Sequence, residues 1–234
     1  MQRRDFVKIC AAATLAARPA LAAAASLEPR FYSRTLLVDG NGRPLPASRL
    51  VPGQNYIFHY PFESTPCFLL DLGKPAVQKA ALKAENGDSY EWPGGVGPNH
   101  AIVGYSAICA HRMTYPTRQI SFISYRSRST ASAAARPNMI HCCSEHSEYD
   151  PAAGARVMGG PAPQPLAAIL LEYDRSGDAL YAVGTLGGEM FNAFFEKFGF
   201  KLALDYGADR VKSRVAARST VVELESFCKQ QVRC

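Results

Sequence analysis

Seven short apolar runs, set apart by glycine- and proline-rich turns, predict an all-β domain, an antiparallel β-sandwich or barrel. Two further observations hold the chain to that class. No stretch of its 234 residues repeats at a fixed period, which excludes a solenoid or propeller. A hydrophobic content of 47%, with 10% aromatic residues, is enough to build a packed core and excludes wholesale disorder.

Along the chain, Arg3-Arg4-Asp5-Phe6-Val7-Lys8 forms a twin-arginine pattern, followed by an Ala-rich apolar run and small residues around Ala20-Leu21-Ala22. This order predicts an export signal over 1–22 and a periplasmic mature protein. Arg18 and Pro19 interrupt the apolar run, which falls short of the ~20 residues a membrane-spanning helix needs. No other segment is long enough, so no integral span is expected. The seven runs lie at 32–38, 56–60, 67–72, 101–108, 120–125, 168–173 and 180–183, within a domain placed at 23–187. Val51-Pro52-Gly53 and the Gly-Pro cluster at 93–98 supply turns between them. Residues 126–138 are small and polar, and read as a flexible surface insertion. After Gly188 the pattern changes: apolar residues at helical spacing over 190–198 predict a helix, and 211–228 a second helix or an extended arm. This partly helical, Phe-rich extension, 188–234, is expected to pack back on the sheet; the alternative is a docking surface for another subunit.

The chemistry concentrates in two Cys/His pairs, Cys109-Ala110-His111 and Cys143-Ser144-Glu145-His146, each short enough for one loop to present both side chains to a metal. Thiolate and imidazole together on each of two loops suit a [2Fe-2S] centre in which one iron takes two Cys and the other two His. Both pairs fall just after a strand or between strands, so the sheet would hold them at one tip. Of the other histidines, His59 and His100 lie away from the pairs, and His141 sits beside Cys142 as a second-shell group or bystander.

The formal charge of +6 is no sign of nucleic-acid binding, because Arg3, Arg4, Lys8 and Arg18 against Asp5 supply half of it within 1–22. The Arg-rich stretches at 112–136 and 201–218 are expected to be solvated surface. Removing 1–22 takes Cys10 with it and leaves Cys67, Cys109, Cys142, Cys143, Cys228 and Cys234. With two spent on metal, an oxidising compartment leaves four for disulfides. Cys228 and Cys234 are near enough to close a short terminal loop, and Cys67 with Cys142 is the pairing left over.

From Phe31 to Leu186 the chain resembles the Rieske iron-sulfur proteins, on three ordered stretches: Ala107-Ile108-Cys109-Ala110-His111-Arg112-Met113-Thr114, Cys143 to Tyr149, and Gly159-Gly160-Pro161-Ala162-Pro163-Gln164-Pro165-Leu166. The resemblance implies that Cys109 and Cys143 hold the inner iron and His111 and His146 the outer one. It also implies that Ser147 and Tyr149 donate hydrogen bonds to cluster and cysteine sulfur, and that Gly160, Pro161 and Pro163 belong to a proline-rich cover. The family's Gly after the second His is missing here. Spacing from His146 selects Cys143, whereas register from Tyr149 selects Cys142 in a Cys-x-x-x-His arrangement. The family's disulfide between the two cluster loops cannot form, since Thr114 and Glu145 occupy the matching positions.

Electron transfer is the function this implies, with no independent catalytic site. The chain would be a periplasmic subunit or shuttle passing electrons from a redox enzyme, such as a molybdenum oxidoreductase large subunit, to a c-type cytochrome. A quinol-oxidising subunit of a cytochrome bc-type complex ranks lower, since the anchor and inter-loop bridge are missing. A structural zinc site or a cluster-less binding module remain as alternatives. A Rieske oxygenase is excluded, because no histidine after His146 is left for a mononuclear iron.

Overall fold

The computed structural model describes residues 26–127 and 136–234; the export signal and most of the polar insertion lie outside these. In chain order the strands are β1 (Arg30–Val38), β2 (Tyr56–His59), β3 (Pro66–Asp71), β4 (Ala80–Lys83), β5 (Ser89–Trp92), β6 (Ile102–Ser106), β7 (Ile120–Ser121) and β8 (Ile123–Arg126). There follow β9 (Met139–Cys142), β10 (Ser147–Asp150), β11 (Arg156–Gly159), β12 (Ala168–Asp174) and β13 (Ala179–Leu186). The C-terminal part holds helix α1 (Phe191–Tyr206), β14 (Arg218–Thr220), β15 (Val222–Glu223), the short helix α2 (Leu224–Phe227) and β16 (Gln230–Gln231). The all-β class read from the sequence is the class observed.

An eight-stranded sheet runs β14-β1-β13-β12-β6-β3-β2-β15, and a four-stranded sheet runs β11-β10-β9-β8. The β3 sequence Pro-Cys-Phe-Leu-Leu-Asp is nearly continuous in apolar residues because both of its faces are covered. Phe68 and Leu70 face the small sheet with Ile123, Ile140 and Tyr149, while Cys67 and Leu69 face an opposite core with Phe58, Ile169 and Leu180. All of these side chains are buried.

The C-terminal arm completes the large sheet. β14 pairs in parallel with β1, and β15, one residue on, pairs antiparallel with β2. One short stretch therefore bridges the two open edges of the sheet, and Ser219 Oγ donates to His59 O at 2.8 Å across the seam. Closure of this kind removes the unpaired edges that would otherwise invite association. The arm is mainly extended, with only α2 helical.

Helix α1 follows from Phe191, Phe194, Phe195, Phe198 and Leu202, which recur at helical spacing and make one apolar face. Gly207, at φ 89°, ends it by donating its N–H to Ala203 O. The apolar face packs on Ile108 and Tyr115, with the Tyr115 and Phe194 rings 4.8 Å apart and edge-on. The Phe-rich extension thus packs onto its own chain, over the loop that follows β6. Among the described residues no helix is long and apolar enough to cross a membrane.

Candidate metal centre

Three loops meet at the tip of the small sheet. The first, after β6, carries Cys109 and His111. It is folded on itself by Cys109 N–H donating to Thr114 O at 2.8 Å and Met113 N–H donating to Cys109 O at 2.9 Å, with Met113 at φ 59°. The second is the four-residue connection from β9 to β10. In that hairpin Cys142 stands directly opposite Ser147, and Ile140 opposite Tyr149. Strand alternation puts Ser147 and Tyr149 on one face of β10, and both are fully buried.

Tyr149 joins the two loops. Its hydroxyl lies 3.2 Å from Cys109 Sγ and accepts from Ala110 N–H at 3.2 Å. Cys142, also buried, belongs to the same core cluster as Cys109 and Tyr149. Donation from Cys142, with a smaller contribution from Tyr149, draws Cys109 down to about 6 against the opposing effect of burial. The Cys142 thiol is raised in turn, first by that hydrogen bond and then by burial. Burial, and then the Cys109 sulfur, raise Tyr149.

The third loop, 160–167, is the proline-rich segment. Gly160 has φ 80°, and a Cβ there would fall 2.3 Å from His146 O and 2.6 Å from Ser147 Cα. Glycine is required because this backbone lies against the second loop. Buried Gln164 anchors the segment, donating to Gly188 O at 2.9 Å and accepting from Glu85 N–H at 2.9 Å. Pro161 and Pro163 face solvent.

Three sequence expectations are corrected. Cys143 is bonded to Cys234, 91 residues away, so its sulfur is not a free thiol. The expected Cys228–Cys234 and Cys67–Cys142 bridges are not formed: all of Cys67, Cys142 and Cys228 are free and buried. Cys67 donates to Tyr60 O at 3.0 Å and Cys228 to Leu224 O at 3.2 Å, each sulfur held by a nearby backbone carbonyl. Adjacent residues at a strand end face opposite ways, which is why Cys142 meets Cys109 and Cys143 meets the C-terminus.

His111 and His146 differ in setting. His111 Nδ1 is buried with no protein partner among the described residues, as is Ser147 Oγ. Such orphaned polar atoms are costly unless something else engages them. His146 is exposed at φ 58°, and Glu145 before it leans toward Arg112 at 3.6 Å. His141 points to the other face of β9, where Nε2 meets Arg136 O at 2.8 Å and Nδ1 lies 3.5 Å from Glu148. Among the described residues no group of three or more His, Cys, Asp or Glu side chains converges on one point as a single-ion site would require. A two-iron cluster divides its ligands between the irons, so each needs only a pair. The adjoining thiols, the orphaned His111 nitrogen and the orphaned Ser147 hydroxyl fit that requirement.

No family model matches the chain. Among solved structures it is similar to the soluble domain of Rieske protein II (SoxF) from Sulfolobus acidocaldarius, at 30% identity, covering 58% of this chain and 72% of that one. The superposition is loose, with a TM-score of 0.39. The cover loop, the first ligand loop and the β9–β10 hairpin are the parts that meet.

Proposed function

We propose that this chain is a Rieske-type electron-transfer protein carrying one [2Fe-2S] cluster at the tip of its small sheet. The observation that carries this reading is the convergence of two buried cysteines from different loops under the Tyr149 hydroxyl, beside an orphaned imidazole nitrogen. Cys109 and His111 would serve from the first loop, with one thiolate and His146 from the second. A cluster so ligated supplies reversible one-electron storage, and neutral imidazoles in place of two thiolates raise its potential to the range of about −150 to +300 mV.

The chain's own residues set how that electron is held. Tyr149, hydrogen-bonded to Cys109, and Ser147, with a free hydroxyl facing the same space, are donors that favour the more negative reduced state. The Gly160 segment lies directly against the second-loop backbone at His146 and Ser147. His146, exposed at the tip, is the natural point for electrons to enter or leave.

The finer reading is a periplasmic subunit or shuttle, exported folded through the 1–22 signal and working between a molybdenum oxidoreductase large subunit and a c-type cytochrome. The twin-arginine pattern supports it, because a folded, cluster-loaded protein needs that route. The test is to purify the exported protein aerobically and measure iron, acid-labile sulfide and visible absorption. A reddish-brown protein with about two irons and two sulfides per chain is expected. A colourless protein holding zinc, or no metal at all, would overturn the proposal.

A further inference from the structure

Resting on the cluster reading, we infer that Cys142 is the second thiolate ligand and that the Cys143–Cys234 disulfide staples the ligand loop to the chain's own C-terminus. The two neighbouring cysteines leave the end of β9 in opposite directions. Cys142 is fully buried, in the same core cluster as Cys109 and Tyr149, and directly across the hairpin from Ser147, whose hydroxyl is orphaned among the described residues. A metal ligand must be a free thiolate, and Cys142 is the cysteine of the pair that has one to give. The sulfur of Cys143 is already committed to Cys234.

The staple is built into its surroundings. β16 lies parallel to β7, and Val232 N–H donates to Ser121 O at 2.8 Å, so the tail runs along the strand that precedes the small sheet. Cys143 N–H donates to Phe122 O at 2.6 Å from the other side. Between them the Arg126 guanidinium donates to Cys143 Sγ at 2.8 Å, to Val232 O at 3.2 Å and to Cys234 O. The bridge therefore fixes the residue next to the ligand, from outside the cluster pocket. Thr114 and Glu145 leave no cysteines for a bond between the two ligand loops. Here the chain end restrains the second loop instead.

The test uses the full-length exported protein and three forms: wild type, Cys142→Ser, and Cys143→Ser/Cys234→Ser. Iron and labile sulfide should fall about five-fold or more in Cys142→Ser and stay above about half in the double variant. The reverse order would overturn the assignment. Because a variant may fail to fold, the wild type is also denatured without reductant, alkylated and digested. Label on Cys109 and Cys142, with a peptide joining Cys143 to Cys234, is expected. A peptide joining Cys142 to any cysteine would refute the inference even if the protein is loaded with iron. A wild type without iron or sulfide would instead sink the cluster reading and the ligand role with it, while the linked peptide still decides the staple.

Discussion

The two ligand loops carry the same residue types and are held by opposite means. The loop after β6 is secured from within the fold: its own backbone closes from Cys109 to Thr114, Tyr149 binds Ala110 N–H, and α1 covers it through Tyr115. The β9–β10 loop is secured from its rim, by the Cys143–Cys234 bond on one side and the Gly160 backbone on another. A loop buried under a helix draws its order from apolar packing, and damage there should register in global stability. A loop held by a bond and a neighbouring backbone draws it from local restraint, and damage there should register in cluster content first.

The sharpest way to break this contrast is at the tip of the second loop. His146→Ala should lower iron content about ten-fold, while Glu145→Gln, which only releases Arg112, should stay near wild type in iron and colour. Loss in Glu145→Gln with retention in His146→Ala would move the outer ligand to the carboxylate.

Under the first loop, Phe194→Ala removes a fully buried ring from the α1 contact and should cost about 3–5 kcal/mol in denaturant unfolding. A cost below about 1 kcal/mol would mean that α1 is an appendage rather than the cover of that loop.

His59 tests the same packing by pH. Its ring bonds the Tyr206 hydroxyl at 3.0 Å at the end of α1, and burial, aided by Arg118, lowers its pKa to about 4. The unfolded chain, titrating near 6.5, binds the proton more readily, so this stabilisation is complete above about 6.5 and is lost as pH falls toward 4. The loss should approach about 3 kcal/mol at most, since part of the residue stays accessible. His59→Gln, which can keep the Tyr206 bond, should flatten the acid side of the stability profile; an unchanged slope would assign it to other groups.

The smallest effect belongs to Tyr149→Phe. Deleting one hydrogen bond to Cys109 is worth about 1 kcal/mol, so the midpoint potential should drop by roughly 40–60 mV with the cluster retained. An unchanged potential would make that hydroxyl a structural tie only.

Much of this was legible in the chain. The apolar runs that became β1, β3, β6, β12 and β13 are long enough for period and composition to speak. Strands β9 and β10 were not foreseen, because Met139-Ile140-His141-Cys142 and Ser147-Glu148-Tyr149-Asp150 are four residues each and half polar, so their order comes from pairing and not from propensity. Closure by β14 and β15 was illegible for a different reason: each pairs with a strand more than 160 residues away. The disulfide expectation failed on the same ground, since nearness in sequence favoured Cys228 for Cys234 and the fold supplied Cys143. One signal was available, though. Strand alternation through Ile140 and Cys142 sets Cys142 on the inner face, opposite to the ligand choice that spacing from His146 favoured.

The most direct test of the central claim is pulsed electron paramagnetic resonance on the reduced, exported protein labelled with nitrogen-15 histidine. Couplings from two distinct imidazole nitrogens to a [2Fe-2S] signal are the predicted result. A signal with no histidine coupling, or no iron-sulfur signal from a folded, iron-replete sample, would contradict it.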